Sequence, residues 1–295
     1  MIKITVPATS ANVGPGFDCL GLAVNIFSTF TFEPSQKQLE ILGCDSTYQN
    51  DSNLVYQAFV KGCNYLGEEV PRLKLTIDSD IPVSRGLGSS ASCIVAGIKA
   101  SGLWFDQDFT SDTLVKLATQ IEKHPDNIAP AVYGKLCSAF LDGDKVELTQ
   151  YEVSQDLKFT AIIPDYKMST KEARQALPKE LTYADITFQI SHSLALVQAL
   201  GQGDFEKLAT TLKDKMHQPY RTPLIKEYDE IEQIAKNHDS LIYLSGSGST
   251  MMLISPNDEK RAKMVRVLIE KFAEFTVKSI EVEQNGIVAK VQNDK

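Results

Sequence analysis

The sequence has no excess of positive charge, no long apolar run and no CxxC cysteine pair. Its 38 acidic residues outnumber 30 basic ones and give a formal net charge of −8. A general nucleic-acid binder needs a basic face, so that class is disfavoured. No stretch approaches the roughly 18 consecutive apolar residues of a transmembrane helix. The first residues also lack the cationic start and apolar run of a signal peptide. We therefore expect neither a nucleic-acid nor a membrane partner.

The cysteines exclude two further classes of protein. There are five of them, an odd number, and none has the spacing of zinc ligands. A disulfide framework is disfavoured in a chain of this length, and reduced thiols predict a cytoplasmic location. The 295 residues are 43% hydrophobic and 23% charged, which is ordinary globular composition. At roughly 100–200 residues per domain, this length predicts about two domains or one large one.

The pattern of apolar residues predicts an α+β fold. Residues 2–6, 20–33 and 157–164 read as strands, whereas 52–66, 111–121 and 257–274 have the apolar stripe of a helix. Strands and helices mix irregularly, without the strict alternation of a doubly wound sheet. We expect an N-terminal domain over residues 1–150 and a C-terminal domain over 151–295. Near the end, strands 277–283 and 286–292 are expected to form a hairpin that turns at Asn285 and Gly286.

One glycine-rich segment carries the clearest chemical signal. It lies between a strand pattern and a helix pattern, and it reads Pro82, Val83, Ser84, Arg85, Gly86, Leu87, Gly88, Ser89, Ser90, Ala91, Ser92. Glycines let a backbone approach a ligand closely, and free amides at a helix start favour an anion. No lysine of the GxxxxGK[ST] type follows, and the GxGxxG fingerprint is absent. The segment therefore indicates phosphate binding through main-chain amides, and the alternative is a plain connecting turn.

Three separated segments resemble the motifs of the GHMP kinases, the group that includes galactokinase and mevalonate kinase. Residues 7–18 resemble the first motif. Residues 82–92 resemble the second, PxxxGLGSSAA, with Ser92 at the last alanine. Residues 244–249 resemble the third, glycine-rich motif. Within the family, the segments SANVGPGFDCLG, HPDNIAPAVYG, STKEARQALP and HQPYRTPLI are most similar to the members that phosphorylate L-homoserine.

The resemblance implies an N-terminal domain like ribosomal protein S5 domain 2 and a ferredoxin-like C-terminal domain, with ATP in the cleft. It implies ATP and Mg²⁺ as cofactors and transfer of the γ-phosphate to the side-chain hydroxyl of L-homoserine. Dimers are common in the family, so a homodimer is one possible assembly. Two alternatives stay open: a GHMP kinase for mevalonate or a sugar, and a catalytically silent nucleotide sensor on the same fold.

For the nucleotide and the metal, the resemblance implies that residues 82–92 bind the ATP phosphates with Gly246 and Gly248. From the local sequence alone, those two glycines would form a plain turn between two strands. Ser90 and Glu122 match the family's Mg²⁺ ligands, and hard oxygen donors suit that ion. Many relatives carry glycine directly after this glutamate, and Lys123 stands there in this sequence.

For the substrate, the resemblance implies a grip on both charges of an amino acid. Arg174 and Arg221 match the positions that bind its carboxylate, since an arginine fork suits that group. Asn12, Asp18 and His124 match positions that contact the ammonium end or other polar atoms. Taken singly, an arginine more often decorates the surface and a histidine is more often structural.

The remaining residues concern the reacting hydroxyl. The resemblance implies that Asn127 orients it and that Thr170 lies at the site. Asp126 is the nearest candidate for a general base, but its carboxylate can instead cap the helix that is expected to begin after it. The resemblance favours a hydroxyl that loses its proton to a phosphate oxygen, without a base.

Overall fold

The strands of this protein, described here from a computed structural model, form two β-sheets. The structure describes residues 1–143 and 145–292, so the last residues of the expected 151–295 domain lie outside it. Among the described residues, no helix combines the length and the apolar character that crossing a bilayer requires. The α+β prediction is confirmed, because helices and largely antiparallel strands interleave irregularly along the chain.

The first sheet is built from the N-terminal half together with the last strand. Its strands are β1 Ile2–Ala11, β2 Leu20–Pro34, β3 Leu39–Leu42, β4 Leu73–Ser79, β5 Leu136–Asp142, β6 Lys145–Tyr151 and β11 Val288–Val291. They run in the order β11-β1-β2-β4-β3, and β5 pairs with both β2 and β6. The long β2 strand pairs with β1, β4 and β5, so it organises the whole sheet.

The second sheet is antiparallel and smaller. Its strands are β7 Lys158–Ile163, β8 Leu241–Leu244, β9 Met251–Ser255 and β10 Thr276–Ile280, in the order β10-β7-β9-β8. The side chains of β7 alternate between two cores, as a buried strand requires. Phe159 and Ala161 face the first sheet, whereas Ile162 faces helices on the other side.

The helices cover the outer faces of these sheets. In chain order they are α1 Leu54–Leu66, α2 Ser89–Trp104, α3 Ser111–Glu122, α4 Pro125–Tyr133, α5 Thr170–Gln175, α6 Tyr183–Gln202, α7 Phe205–Thr211, α8 Gln218–Arg221, α9 Tyr228–Asn237 and α10 Asp258–Lys271. One core packs the first sheet against α1 to α4, and another packs the second sheet against α9 and α10. A third core joins β2 to the second sheet and α6, which fixes the cleft between the two sheets.

The predicted C-terminal hairpin is wrong. β10 pairs with β7 in the second sheet, and β11 pairs with β1 in the first sheet. The chain between them crosses from one sheet to the other, where Glu283 N donates to Ala23 O at 3.0 Å and Lys135 N donates to Glu283 O at 2.6 Å. Alternation of apolar residues identifies strands, but it does not say which sheet edge each strand joins.

Candidate active site

A cavity of about 710 Å³ opens between the two sheets and collects residues from both halves of the chain. The predicted site residues that line it are Asn12, Asp18, Pro82, Val83, Ser84, Arg85, Gly86, Gly88, Ser89, Ser90, Glu122, His124, Asp126, Asn127, Thr170, Arg174, Arg221 and Gly246. Residues more than 200 positions apart therefore meet around one space.

Four residues of the predicted phosphate-binding set do not line the cavity. Leu87 and Ala91 are fully buried in the hydrophobic cores. Ser92 is buried and donates its hydroxyl to Ser89 O at 2.9 Å. Gly248 lies in the turn between β8 and β9, where its amide donates to Ser245 O at 2.9 Å. Leu87 and Gly248 lie in the two loops that carry the cavity-lining glycines, whereas Ala91 and Ser92 lie in the first turn of α2.

Hydrogen bonds join the three segments that resemble family motifs. The hydroxyl of Ser245 lies within hydrogen-bond distance of Gly86 O, at 2.6 Å, and of Ser10 Oγ, at 2.8 Å. Gly246 N donates to Ala11 O at 3.1 Å, and Thr250 N donates to Arg85 O at 3.0 Å. The β8–β9 turn is thus both a hairpin turn and a wall of the cavity.

The start of α2 presents backbone amides to the cavity. Gly88 caps the helix with a φ of 68°, and a Cβ there would lie 2.0 Å from Thr9 Oγ1. The first helical bond runs from Ser92 N to Gly88 O at 2.9 Å. The amides of Ser89, Ser90 and Ala91 precede it, so they have no acceptor within the helix. Such an end attracts an anion through its amides and the helix dipole.

Glu122 ends α3 at the same end of the cavity. Its Oε2 accepts a hydrogen bond from Ser90 Oγ at 2.7 Å. Burial raises the pKa of the Glu122 carboxyl above its usual value, and the Ser90 hydrogen bond only partly opposes that shift. The next residue, Lys123, caps the helix with a φ of 77° in the left-handed region that glycine adopts most easily. A glycine at this position would adopt the same backbone without strain.

The Ser90–Glu122 pair fits Mg²⁺ by its chemistry. A hydroxyl and a half-buried carboxylate are hard oxygen donors, and the carboxylate has no protein cation within salt-bridge distance in the described chain. No cluster of three or more His, Cys, Asp or Glu side chains suited to a metal exists within residues 1–143 and 145–292. Bound phosphate and water would have to complete the coordination, as Mg²⁺ commonly requires.

Two predicted substrate-binding residues form an ion pair with each other. Arg174 Nη1 lies 3.1 Å from Asp18 Oδ2, and Arg174 Nη2 lies 3.0 Å from Asp18 Oδ1. The pair joins α5 to the loop after β1, and His124 Nδ1 lies 3.8 Å from Asp18 Oδ2. Arg174 was predicted to bind a substrate carboxylate and Asp18 a substrate ammonium. In this structure the two side chains bind each other instead.

Arg221 is held more deeply. It is 3% exposed, and it donates to Ala173 O at 3.2 Å and to Gly246 O at 3.0 Å. Burial, with the positive charge of Arg174, lowers the pKa of Arg221 to about 10, so it stays protonated at neutral pH. Its remaining guanidinium hydrogens are available at the cavity wall.

Asn127 and Asn12 are oriented by fixed partners. Thr9 Oγ1 donates to Asn127 Oδ1 at 2.8 Å, which leaves the Asn127 amide hydrogens as donors. Asn12 has a φ of 72°, donates to Gly246 O at 3.0 Å and accepts from Asp18 N at 3.0 Å. Thr170 is more loosely held, with its hydroxyl 3.4 Å from Ser247 Oγ.

The alternative role of Asp126, as the cap of a helix that begins after it, is wrong. The helix α4 begins at Pro125 with His124 as its N-cap, so Asp126 lies inside the first turn. Its Oδ1 accepts from Asn127 N at 3.0 Å. Burial, with the negative charge of Asp18, raises the pKa of Asp126 to about 7. A buried carboxyl of this kind at a cavity wall is typical of a functional site.

Sequence reasoning missed several residues of the site. Thr9 orients Asn127, Ser10 links the first motif to Ser245 and Tyr243, and Lys167 lines the cavity. Thr9 and Ser10 lie inside the segment that resembles the first motif. Two hydroxyl residues in a row at the end of a strand were the available signal in the sequence. Their hydrogen-bond partners could not be predicted, because they lie more than 100 residues away.

Comparisons with known proteins agree with this geometry. The family model described as the GHMP kinases N terminal domain matches residues 53–135, and the GHMP kinases C terminal model matches residues 196–274. The chain is 38% identical over 291 residues to a protein named homoserine kinase from Clostridium botulinum (strain Kyoto / Type A2), with 98% of each chain covered.

Solved structures show the same fold. The crystal structure of homoserine kinase from Cytophaga hutchinsonii superposes with a TM-score of 0.88 at 27% identity, covering 98% of this chain and 97% of that one. The Methanococcus jannaschii mevalonate kinase reaches a TM-score of 0.71 at 17% identity, with coverage of 96% and 98%. The second likeness shows the fold alone.

Proposed function

The chain belongs to the GHMP kinase family, and on that premise we propose that it is a homoserine kinase. It transfers the γ-phosphate of ATP to the side-chain hydroxyl of L-homoserine and gives O-phospho-L-homoserine, an intermediate on the route to threonine. Relatives that carry this name cover almost the whole chain. The observation that carries the substrate assignment is the Asp18–Arg174 ion pair at the cavity wall.

The ion pair suits an α-amino acid because that substrate carries one ammonium and one carboxylate on the same carbon. Such a zwitterion can insert between Asp18 and Arg174 and give each side chain a new partner of the right charge. The exchange leaves no charge unpaired, and an unpaired charge in a partly buried site is costly. A substrate with a carboxylate alone would take Arg174 and leave Asp18 without its arginine; among the described residues, only His124 Nδ1 then lies nearby, at 3.8 Å. Arg221 supplies a second guanidinium for the carboxylate.

At the other end of the cavity, the amides that begin α2 hold the triphosphate. Gly86, Gly88 and Gly246 keep the walls thin enough for the phosphates to approach main-chain donors. Ser90 and Glu122 are the residues that would hold Mg²⁺. When bound, that ion supplies positive charge beside the transferring phosphoryl group.

The reaction itself is mostly a matter of position and electrostatics, because phosphoryl transfer passes through a loose transition state. Asn127, fixed by Thr9, offers amide hydrogens that orient the attacking hydroxyl. Thr170 lies where α5 begins and lines the cavity, with its hydroxyl 3.4 Å from Ser247 Oγ. The hydroxyl proton passes to a phosphate oxygen, and Asp126 is the alternative acceptor. Its pKa of about 7 keeps it partly protonated near neutral pH.

A coupled kinase assay with matched alcohols tests the proposal. We expect L-homoserine to be phosphorylated in preference to mevalonate and sugars. 4-Hydroxybutyrate lacks the ammonium and 2-aminobutane-1,4-diol lacks the carboxylate, and each should lose about 10–100-fold in kcat/KM. Preference for mevalonate or a sugar would reject homoserine and keep the family. MgATP binding without turnover of any alcohol would instead support the nucleotide-sensor alternative.

A further inference from the structure

The loop after β1 is gripped by residues that do not line the cavity. The carbonyl of Gly14 accepts from His217 Nε2 at 2.8 Å. The carbonyl of Pro15 accepts from Gln189 Nε2 at 2.6 Å and from Ser193 Oγ at 2.8 Å. Each of these donors lies at least 174 residues away in sequence. The C-terminal half therefore sets the path of the backbone that leads to Phe17 and Asp18.

Asp214 organises this grip. Its buried carboxylate accepts from the backbone amides of Met216, His217 and Gln218 at 3.1, 2.8 and 2.6 Å. Gln189 Nε2 also donates to it at 2.5 Å. Four donors on one carboxylate fix the turn that precedes α8. Because His217 lies in this turn, its ring is held in place beside Gly14.

The hydrogen bonds of His217 define its protonation. Nε2 must carry a hydrogen, because the carbonyl of Gly14 can only accept. Nδ1 is buried and, within the described chain, has no hydrogen-bond partner. A doubly protonated ring would bury an unpaired N–H, so the neutral ring with its hydrogen on Nε2 is favoured. Burial also lowers the pKa of His217, against the opposing charge of Asp214.

Phe17 stacks on this fixed ring and supports two cations. Its ring centroid lies 5.4 Å from that of His217, with 28° between the planes. The guanidinium carbons of Arg221 and Arg174 lie 5.2 and 5.7 Å from the same centroid. Two positive groups beside each other repel, and the negative face of an aromatic ring offsets part of that repulsion.

We infer that Phe17 is a positioning residue, seated by His217 and Asp214, which holds Arg174 and Arg221 at the spacing that a substrate carboxylate needs. The carboxylate part of this inference rests on the proposed function. None of Phe17, His217 and Asp214 lines the cavity, so each acts through the two arginines and through Asp18. The role concerns the substrate-binding side chains, because Phe17 contacts the two arginines, whereas the amides that bind phosphate belong to a different element, the start of α2.

Steady-state kinetics of Phe17→Leu and Phe17→Tyr give the first test. Phe17→Leu should raise the KM for L-homoserine about 10-fold and leave the KM for ATP within about twofold. Phe17→Tyr keeps the ring and should rescue most of that loss. A homoserine KM that is unchanged in Phe17→Leu, or an equal rise of both KM values, would overturn the inference.

The histidine gives a matched series. His217→Gln keeps a donor toward Gly14 but loses the ring, and it should raise the homoserine KM less than His217→Leu. His238→Gln is the control, because His238 Nδ1 also bonds a backbone carbonyl, Ile234 O at 2.8 Å, but it is the His217 ring that stacks on Phe17. It should leave both KM values unchanged. Equal effects of His217→Gln and His238→Gln would argue against a positioning role.

A third measurement does not depend on the substrate. In ¹⁵N-labelled protein, the Nε–H signals of Arg174 and Arg221, assigned with lysine variants, should shift in Phe17→Leu and much less in Phe17→Tyr. Signals that stay in place in folded Phe17→Leu would refute the positioning role of Phe17. If the signals shift but the wild type does not phosphorylate L-homoserine, the positioning of the two arginines by Phe17 stands and the proposed function fails.

Discussion

The two ends of the cavity are built in opposite ways. The end beside α2 uses main-chain amides, glycines and hydroxyls that come mostly from residues 82–92, with one carboxylate from α3. The other part uses charged side chains from the loop after β1, α5 and α8. Asp18 and Arg174 pair with each other before any ligand arrives, and Arg221 donates to backbone carbonyls. A phosphate site made of main-chain amides can be encoded by one short segment, whereas a site made of charged side chains needs residues from several distant segments.

The largest expected effect is at the α2 end, in Glu122→Ala. Removing the carboxylate should lower kcat about 100–1,000-fold, because metal-borne stabilisation of transition-state charge is lost. The thermal midpoint should change little, since burial already penalises the charged carboxyl. Turnover and unfolding are measured on the same preparation. Turnover like that of the wild type at limiting Mg²⁺ would remove Glu122 from the metal site.

The backbone character of this end is tested by Gly88→Ala. The new Cβ would meet Thr9 Oγ1 at 2.0 Å at a φ of 68°, so we expect a loss of about 3 kcal/mol in unfolding free energy and weaker ATP binding. Gly67→Ala is the matched control, because its φ is 75° but nothing lies within 4 Å of the added atom. It should cost about 1–2 kcal/mol, as a left-handed backbone alone does. Equal losses by urea unfolding would contradict the close approach.

The charged end is tested by Arg221→Ala. Loss of a buried guanidinium should raise the homoserine KM about 30-fold, which is about 2 kcal/mol. The ATP KM should rise less, because Arg221 touches the phosphate-binding wall only through its hydrogen bond to Gly246 O. Arg261→Ala removes an arginine that pairs with Asp258 on α10 and serves as the control. An unchanged homoserine KM in Arg221→Ala would count against the assignment of the carboxylate site.

The smallest expected effect is the pH dependence of Asp126→Asn. The folded-state pKa of Asp126 is about 7, above the ordinary value of 3.8, so ionisation destabilises the fold as pH rises through that window. Below pH 4 both variants carry a neutral side chain and should differ little. At pH 8 the asparagine variant should be more stable by about 1 kcal/mol, because it avoids ionisation but still buries an amide.

Thermal unfolding at pH 4 and pH 8 measures that difference. A larger stability difference at pH 4 than at pH 8 would contradict the raised pKa of Asp126.

The Asp126→Asn variant also separates the two routes for the hydroxyl proton. We expect kcat to fall less than about 10-fold when a phosphate oxygen takes the proton, whereas a fall of 100-fold or more would assign it to Asp126.

The sequence predicted most elements, and its failures have physical causes. β1 was found from the alternation of its apolar residues and α1 from its apolar stripe, because these patterns report which face of an element is buried. The prediction of a hairpin at Asn285 and Gly286 was wrong, because each of the two strands joins the edge of a different sheet and the apolar pattern does not distinguish these edges. The domain boundary near residue 150, the homodimer and the cytoplasmic location stay predictions.

For this protein, the amino-acid sequence alone determined the glycine-rich start of α2, since turn chemistry and helix ends depend on neighbouring residues. It also fixed the α+β class through local periodicity. Only the tertiary structure decided that Asp18 pairs with Arg174 and that Phe17 lies between His217 and two arginines. Charge pairing and ring stacking depend on distances between side chains that are far apart in sequence, and packing of the two sheets sets those distances.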